Sequence, residues 1–150
     1  MDRHLRQQPE SVCDAVDDAT AAYIVDTRKQ FEDLRQASAQ IAGLLVLAAA
    51  GSKSAGPHHP MLEAAHLLYE NAFEAIRSAR VPVPARPHHA HLLQAAQALR
   101  RSLVEARAGV EIDPVLRPLR AAYLHLQQAA NELPGFDMVA FDQGCCGGSL

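Results

Sequence analysis

The sequence predicts an all-α protein, an antiparallel up-down four-helix bundle with a long first helix and an irregular, cysteine-containing C-terminal tail. Three observations predict this fold class. Four segments carry apolar residues at alternating spacings of three and four, which is the periodicity of an amphipathic helix. Segments rich in proline and glycine bound them, and short connections of this kind join helices that pack antiparallel. Trp is absent and aromatic residues make up 5% of the chain, so the core must be mostly aliphatic, which suits closely packed helices.

The chain has 150 residues, which fits one domain that can bury a core without covalent staples. The breakers divide it into three parts. We expect a flexible N-terminus at residues 1–8, a helical bundle at residues 9–134 and a C-terminal tail at residues 135–150.

Helix one is predicted to begin near Pro9 or Ser11, since proline suits a first helical turn and Ser11 with Asp14 forms a candidate capping box. It then meets no breaker before Gly51. Its apolar seam reads Cys13, Val16, Thr20, Ile24, Thr27, Phe31, Leu34, Ser38, Ile41, Leu45 and Ala48.

Helices two and three are predicted at about residues 60–80 and 88–108, separated by the proline-rich VPVPARP. Asp113 is predicted to cap helix four, with Pro114 in its first turn and Pro134 after its end. The predicted core stripe of helix two is Leu62, His66, Tyr69, Phe73 and Ile76. That of helix four is Leu116, Leu119, Tyr123, Leu126, Ala130 and Leu133.

The predicted lengths of the helices do not match. Helix one would span roughly 60 Å and the others roughly 30 Å each, so residues 9–29 would project beyond the bundle. This projection carries an apolar seam from Val16 to Ile24, which must be covered. Either helix one breaks near residues 26–28, or the seam packs on the chain's own tail or on a second copy. We expect a homodimer built mainly on helix one.

Composition and charge indicate which classes of binding partner and which cellular compartment to expect. The net charge of −3 is spread without a run of Lys and Arg dense enough for nucleic acid, so we expect no nucleic-acid partner. The most apolar stretch, residues 41–50, is half as long as a bilayer requires, so we expect no membrane partner. Of three cysteines, Cys145 and Cys146 are adjacent and unsuited to a structural disulfide framework, which indicates a reducing, cytoplasmic compartment.

Histidines and cysteines are predicted to meet at the lower end of the bundle, where helix three begins and helix four ends. His88, His89 and His91 open helix three, and the tail that carries Cys145 and Cys146 follows helix four. Imidazole and thiolate groups are ligands of Zn, Fe or Cu, so these five residues are candidate metal ligands. The alternative is a frayed tail with solvent-exposed thiols.

A second candidate metal site is the E-x-x-H formed by Glu63 and His66, which places a carboxylate and an imidazole on one helical face. In ferritin-like di-iron bundles two helices carry this motif and each of the other two contributes one Glu. Glu32 and Glu105 could be those single donors, whereas helix four has His125 without a Glu three residues before it. These residues point to a metal- or haem-type binding bundle.

The stretch AAHLLYENAF, residues 64–73, resembles the histidine-bearing helix of histidine-phosphotransfer domains, which are four-helix bundles of similar size. In that family Lys and Gly stand three and four residues after the histidine, where this chain has Tyr69 and Glu70. The resemblance implies a signalling role with a phosphoryl site at His66. A third interpretation is that His66 is a hydrogen-bonded core residue, because it shares a stripe with Leu62 and Tyr69.

No Ser/His/Asp set, glycine-rich phosphate loop or paired-acid motif indicates an enzyme. We therefore expect a non-enzymatic helical-bundle protein that acts through self-association or by binding a partner protein. The alternative is a bundle that binds a metal or cofactor, and the further alternative is a histidine-phosphotransfer-like signalling domain.

Overall fold

The computed structural model describes residues 16–138, and this part of the chain contains four α-helices and no strand, which confirms the all-α prediction. One turn of 3-10 helix, Val83–Ala85, precedes the third of them. The α-helices are α1 (Asp18–Ala49), α2 (Pro60–Ser78), α3 (Arg86–Ala108) and α4 (Ile112–Glu132). None of these four helices combines the length and the apolar composition that crossing a bilayer requires.

Each helix packs on its neighbours in sequence, and α1 also packs on α4. Gly43, near the end of α1, lies against Met61 in the first turn of α2. His91, near the start of α3, lies beside Glu132 at the end of α4. These contacts place the end of α1 beside the start of α2, and the start of α3 beside the end of α4.

The beginning of α1 differs from the prediction. Asp17 is its N-cap: the backbone there is not helical (φ −59°, ψ 158°), and the carboxylate accepts a hydrogen bond of 2.7 Å from the backbone N–H of Thr20. This bond holds the pKa of Asp17 below its usual value. The continuous helix predicted from Pro9 or Ser11 is therefore wrong at Asp17, while Pro9 and Ser11 themselves lie outside the described residues.

Two other helix starts are also displaced from their predicted positions. Helix α3 begins at Arg86, because Pro87 falls in the first turn, where the N–H that proline lacks has no helical partner. Helix α4 begins at Ile112, so Glu111 rather than Asp113 holds the capping position, and it makes no side-chain cap bond.

The core stripes of α2 and α4 are rotated by part of a turn from the predicted ones, with alanines at positions where larger residues were expected. Alanines at an interface allow helices to approach closely. His66, with 29% of its side chain exposed, therefore lies at the edge of α2, and the prediction that it faces the interior is wrong. The buried residues of α2 are Leu62, Ala65, Tyr69, Ala72 and Ile76. Those of α4 are Val115, Leu119, Ala122, Leu126 and Ala129.

The lower part of α1 is covered by the chain itself. Helix α1 runs without a break near residues 26–28, and it buries Tyr23 and Ile24. Phe136, which follows α4, is buried and packs edge-on against Phe31 at 5.2 Å between ring centroids. Cover by the residues that follow α4 is thus what the structure shows for this part of α1, while the homodimer built on helix one stays a prediction.

Helices α3 and α4 are joined by a buried hydrogen bond. Pro118 lies inside α4 and cannot donate to the carbonyl one turn earlier, which locally weakens the helix. Ser102 of α3 is fully buried, and its hydroxyl donates to the carbonyl of Val115 at 2.9 Å. This bond ties α3 to α4 one turn before the proline.

Candidate functional sites

The three histidines that open α3 point to different surroundings. Successive helical residues turn by about 100°, so His88, His89 and His91 cannot all face one point. Within residues 16–138, no group of three or more His, Cys, Asp or Glu side chains is arranged to hold a metal ion. Cys145 and Cys146 lie outside the described residues, so a site that includes them stays a prediction.

His88 is fully buried in the core. Its Nδ1 lies 2.9 Å from the hydroxyl of Tyr23, and its ring is stacked at a tilt on Phe136 with 4.1 Å between centroids. Its Nε2 is also buried and finds no hydrogen-bond partner among residues 16–138. Burial, with smaller contributions from His89 and His91, lowers the pKa of His88 to about 4, and burial raises the pKa of Tyr23 to about 12. Both groups are therefore neutral at pH 7 and hold the core together.

His89 lines an open cavity of about 700 Å³ between α1, the end of α2 and the connection to α3. Burial lowers the pKa of His89. The other polar side chains of the wall are those of Tyr23, Asp26, Thr27, Gln30, Ser78 and Arg80. In the described part of the chain no hydrogen bond or ion pair joins these groups to His89, so the cavity presents no assembled catalytic set.

His66 pairs with Glu70 rather than with Glu63. Its Nε2 lies 2.9 Å from Oε1 of Glu70, one turn further along α2. The carboxylate of Glu63 instead lies 3.7 Å from the guanidinium of Arg107 on α3. The two members of the E-x-x-H motif thus turn towards different partners.

Of the two candidate single-Glu donors, one is engaged in an ion pair and the other lies on the surface. Glu32 forms an ion pair with Arg35 on its own helix. Glu105 is exposed on α3. The side chains expected for a di-iron site therefore do not converge inside the bundle.

A group that the sequence reasoning missed lies between α3 and α4. Nε2 of His91 is 3.7 Å from Oε1 of Glu132, and the rings of His91 and His125 are 6.2 Å apart with planes inclined by 27°. The local signal was available: His125 and Glu132 are seven residues apart, which puts them on one face of a helix. Their meeting with His91 depends on how α3 and α4 pack.

An apolar groove of about 610 Å³ runs along the surface between α1 and α4, and we call it the α1–α4 groove. Tyr123 and Leu124 in its wall are 42% and 56% exposed, and Arg35 and Arg120 are the charged lining residues among residues 16–138. An apolar groove with a charged rim is the type of surface that receives an amphipathic helix. Its lining residues are Arg35, Gln36, Ser38, Ala39, Ala42, Leu116, Leu119, Arg120, Tyr123, Leu124, Leu126, Gln127 and Met138.

The chain was compared with known proteins. No protein-family model matches it, and searches of curated proteins and of solved structures gave no match.

Proposed function

We propose that this protein acts by self-association, with residues 9–18 of a second copy bound in the α1–α4 groove. The observation that supports this proposal is the groove itself. It leaves Tyr123 and Leu124 about half exposed beside the apolar side chain of Leu116. Contiguous apolar surface of this kind commonly marks a site of protein association.

Charge favours residues 9–18 of a second copy as the occupant. Among residues 16–138, two arginines and no acid line the groove, and Arg120 forms no ion pair there. Residues 9–18, PESVCDAVDD, contain four acids, no base and the apolar Val12 and Val16. Val16, the first residue of this segment that the structure describes, is 41% exposed. If two chains instead associated groove to groove, the arginines of one chain would face those of the other.

Helix geometry favours a second copy over the same chain. From Asp18 to Arg35, α1 advances about 25 Å towards the groove. Residues before Asp18 in the same chain would have to reverse direction to reach it. A second copy can approach the groove from outside, and two copies can exchange the same contact around a twofold axis.

Leu124→Glu tests the proposal, because Leu124 is exposed and the change should leave the fold intact. Light scattering at micromolar concentrations should give a dimer mass for the unchanged chain and a monomer mass for Leu124→Glu. The matched control is Leu67→Glu on α2, at a residue that is 61% exposed and outside the groove, which should remain dimeric. Arg120→Glu should weaken the dimer, and Asp14→Arg should partly restore it in that background.

A monomer mass for the unchanged chain would overturn self-association. The occupant of the groove would then be an acidic amphipathic helix of a partner protein. Equal dissociation by Leu124→Glu and Leu67→Glu would show that the groove is not the contact. We expect the association to occur in the cytoplasm and without nucleic acid, as the cysteines and the charge pattern predict.

A further inference from the structure

We propose that the cavity beside His89 binds a small zwitterion with an apolar body, such as an α-amino acid with an aliphatic side chain. Its volume of about 700 Å³ lies within the range of ligand-binding cavities, about 300–1,000 Å³. Among residues 16–138, the linings of this cavity and of the α1–α4 groove share no residue. Ligand binding here is therefore independent of self-association through that groove.

Small side chains from α1 and from the end of α2 leave the space that an apolar body would fill. Ala22 of α1 and Ala79, which follows α2, lie in the wall together with Ile76 and Val81. Ala22 is exposed, and Ala79 and Val81 are only partly buried. An aliphatic group that enters the cavity removes this apolar surface from water, which stabilises the complex.

The wall carries one charged side chain of each sign. Asp26 lies on α1, Arg80 follows the end of α2, and both residues are exposed. In the described part of the chain neither residue forms an ion pair. A ligand with only a negative charge would be repelled by Asp26, and one with only a positive charge by Arg80. A zwitterion can instead pair with both residues.

His89 adds an uncharged hydrogen-bond donor. Burial lowers the pKa of His89, so the imidazole is neutral at pH 7. Its Nδ1 is buried and has no partner among residues 16–138, whereas its Nε2 is not buried. A proton on Nε2 can be hydrated, which favours this tautomer, and Nε2–H can then donate to the carboxylate of a ligand paired with Arg80.

Two other polar groups of the wall are already engaged within the protein. The hydroxyl of Tyr23 lies 2.9 Å from Nδ1 of His88, and that of Ser78 donates to the carbonyl of Glu74 at 2.8 Å. Recognition of the charged groups of the ligand therefore depends on Asp26, Arg80 and His89.

Three probes that share one aliphatic body test the cavity in the full-length chain. They are leucine, 3-methylbutylamine, which lacks the carboxylate, and 4-methylpentanoate, which lacks the amine. Titration followed by two-dimensional NMR should show saturable one-to-one binding of leucine, with the largest shifts at residues of the wall. The other two probes should bind at least about tenfold more weakly, because each loses one charge-assisted contact.

Substitution of the two charged residues tests their roles. Asp26→Asn and Arg80→Gln should each weaken leucine binding at least about tenfold. Asp26→Asn should also remove the preference for leucine over 4-methylpentanoate. The matched controls are Asp18→Asn and Arg101→Gln, at exposed residues outside the wall, which should bind leucine as the unchanged chain does.

A second pair of variants tests the location. Ala22→Leu should fill the cavity and abolish leucine binding, whereas Ala21→Leu, at the preceding exposed residue outside the wall, should leave it unchanged. No saturable binding of leucine would overturn the proposal. Equal affinities for leucine and 4-methylpentanoate, or equal effects of Ala21→Leu and Ala22→Leu, would do the same.

Discussion

Acidification should destabilise this protein through His88. The pKa of His88 is about 4 in the folded chain and about 6.5 in the unfolded one. At pH 5 the unfolded chain therefore binds a proton that the folded chain excludes. The stability that neutral His88 contributes is therefore fully present above pH 6.5 and is lost as the pH falls towards 4.

The size of this effect follows from the two pKa values. Complete loss of the contribution of His88 would lower the free energy of unfolding by about 3 kcal/mol. About 2 kcal/mol of this should be lost between pH 7 and pH 5. Burial also lowers the pKa of His89, which acts in the same direction. Most carboxyl groups titrate below pH 5, so this window isolates the histidines.

Urea unfolding followed by circular dichroism, at pH 7 and pH 5, measures the loss. The informative variant is Tyr23→Phe with His88→Leu, since replacing both partners of a buried hydrogen bond by apolar groups can be nearly neutral. Between pH 7 and pH 5, the free energy of unfolding should fall by about 2 kcal/mol in the unchanged chain and by much less in the double variant. His58→Leu, at an exposed histidine, is the control and should lose as much as the unchanged chain. Equal losses in the double variant and the unchanged chain would refute the argument.

Two further changes test how the helices are held together, each by urea unfolding at pH 7. Phe136→Ala should lower the free energy of unfolding by about 3–5 kcal/mol because it empties a buried contact, while Asp137→Ala next to it, on the surface, should have little effect. A small loss for Phe136→Ala would mean that this ring does not cover α1. Ser102→Ala should cost about 1–2 kcal/mol by removing the bond to Val115, whereas Ser78→Ala, at an exposed serine bonded within its own helix, should cost little. Equal effects of the two serine variants would contradict the role given to Ser102.

The helices themselves followed from local signals in the sequence. The seam of helix one correctly included Phe31, Leu34 and Ile41, which are buried. The start of α2 at Pro60 and the end of α3 before Gly109 also agree with the sequence signals. These features depend on residues a few positions apart, so the chain shows them without its fold.

Which residue occupies the centre of each stripe could not be read in the same way. Tyr69 was correctly placed in the core of α2, but Ala65 and Ala72 are buried where His66 and Phe73 were expected. Adjacent residues differ by about 100° around a helix, so an apolar pattern defines a face only to within about one position. The neighbouring helix then selects the side chain that allows the closest packing.

The candidate sites depended most on the tertiary structure. Periodicity and helix breakers were enough to predict four amphipathic helices, their approximate bounds and a supply of histidines at the start of helix three. Only packing decided that His88 meets Tyr23, 65 residues away, and that His91 meets Glu132. Periodicity acts along one helix, whereas these contacts depend on the rotation and the axial shift of two helices, which the packing of the whole core sets.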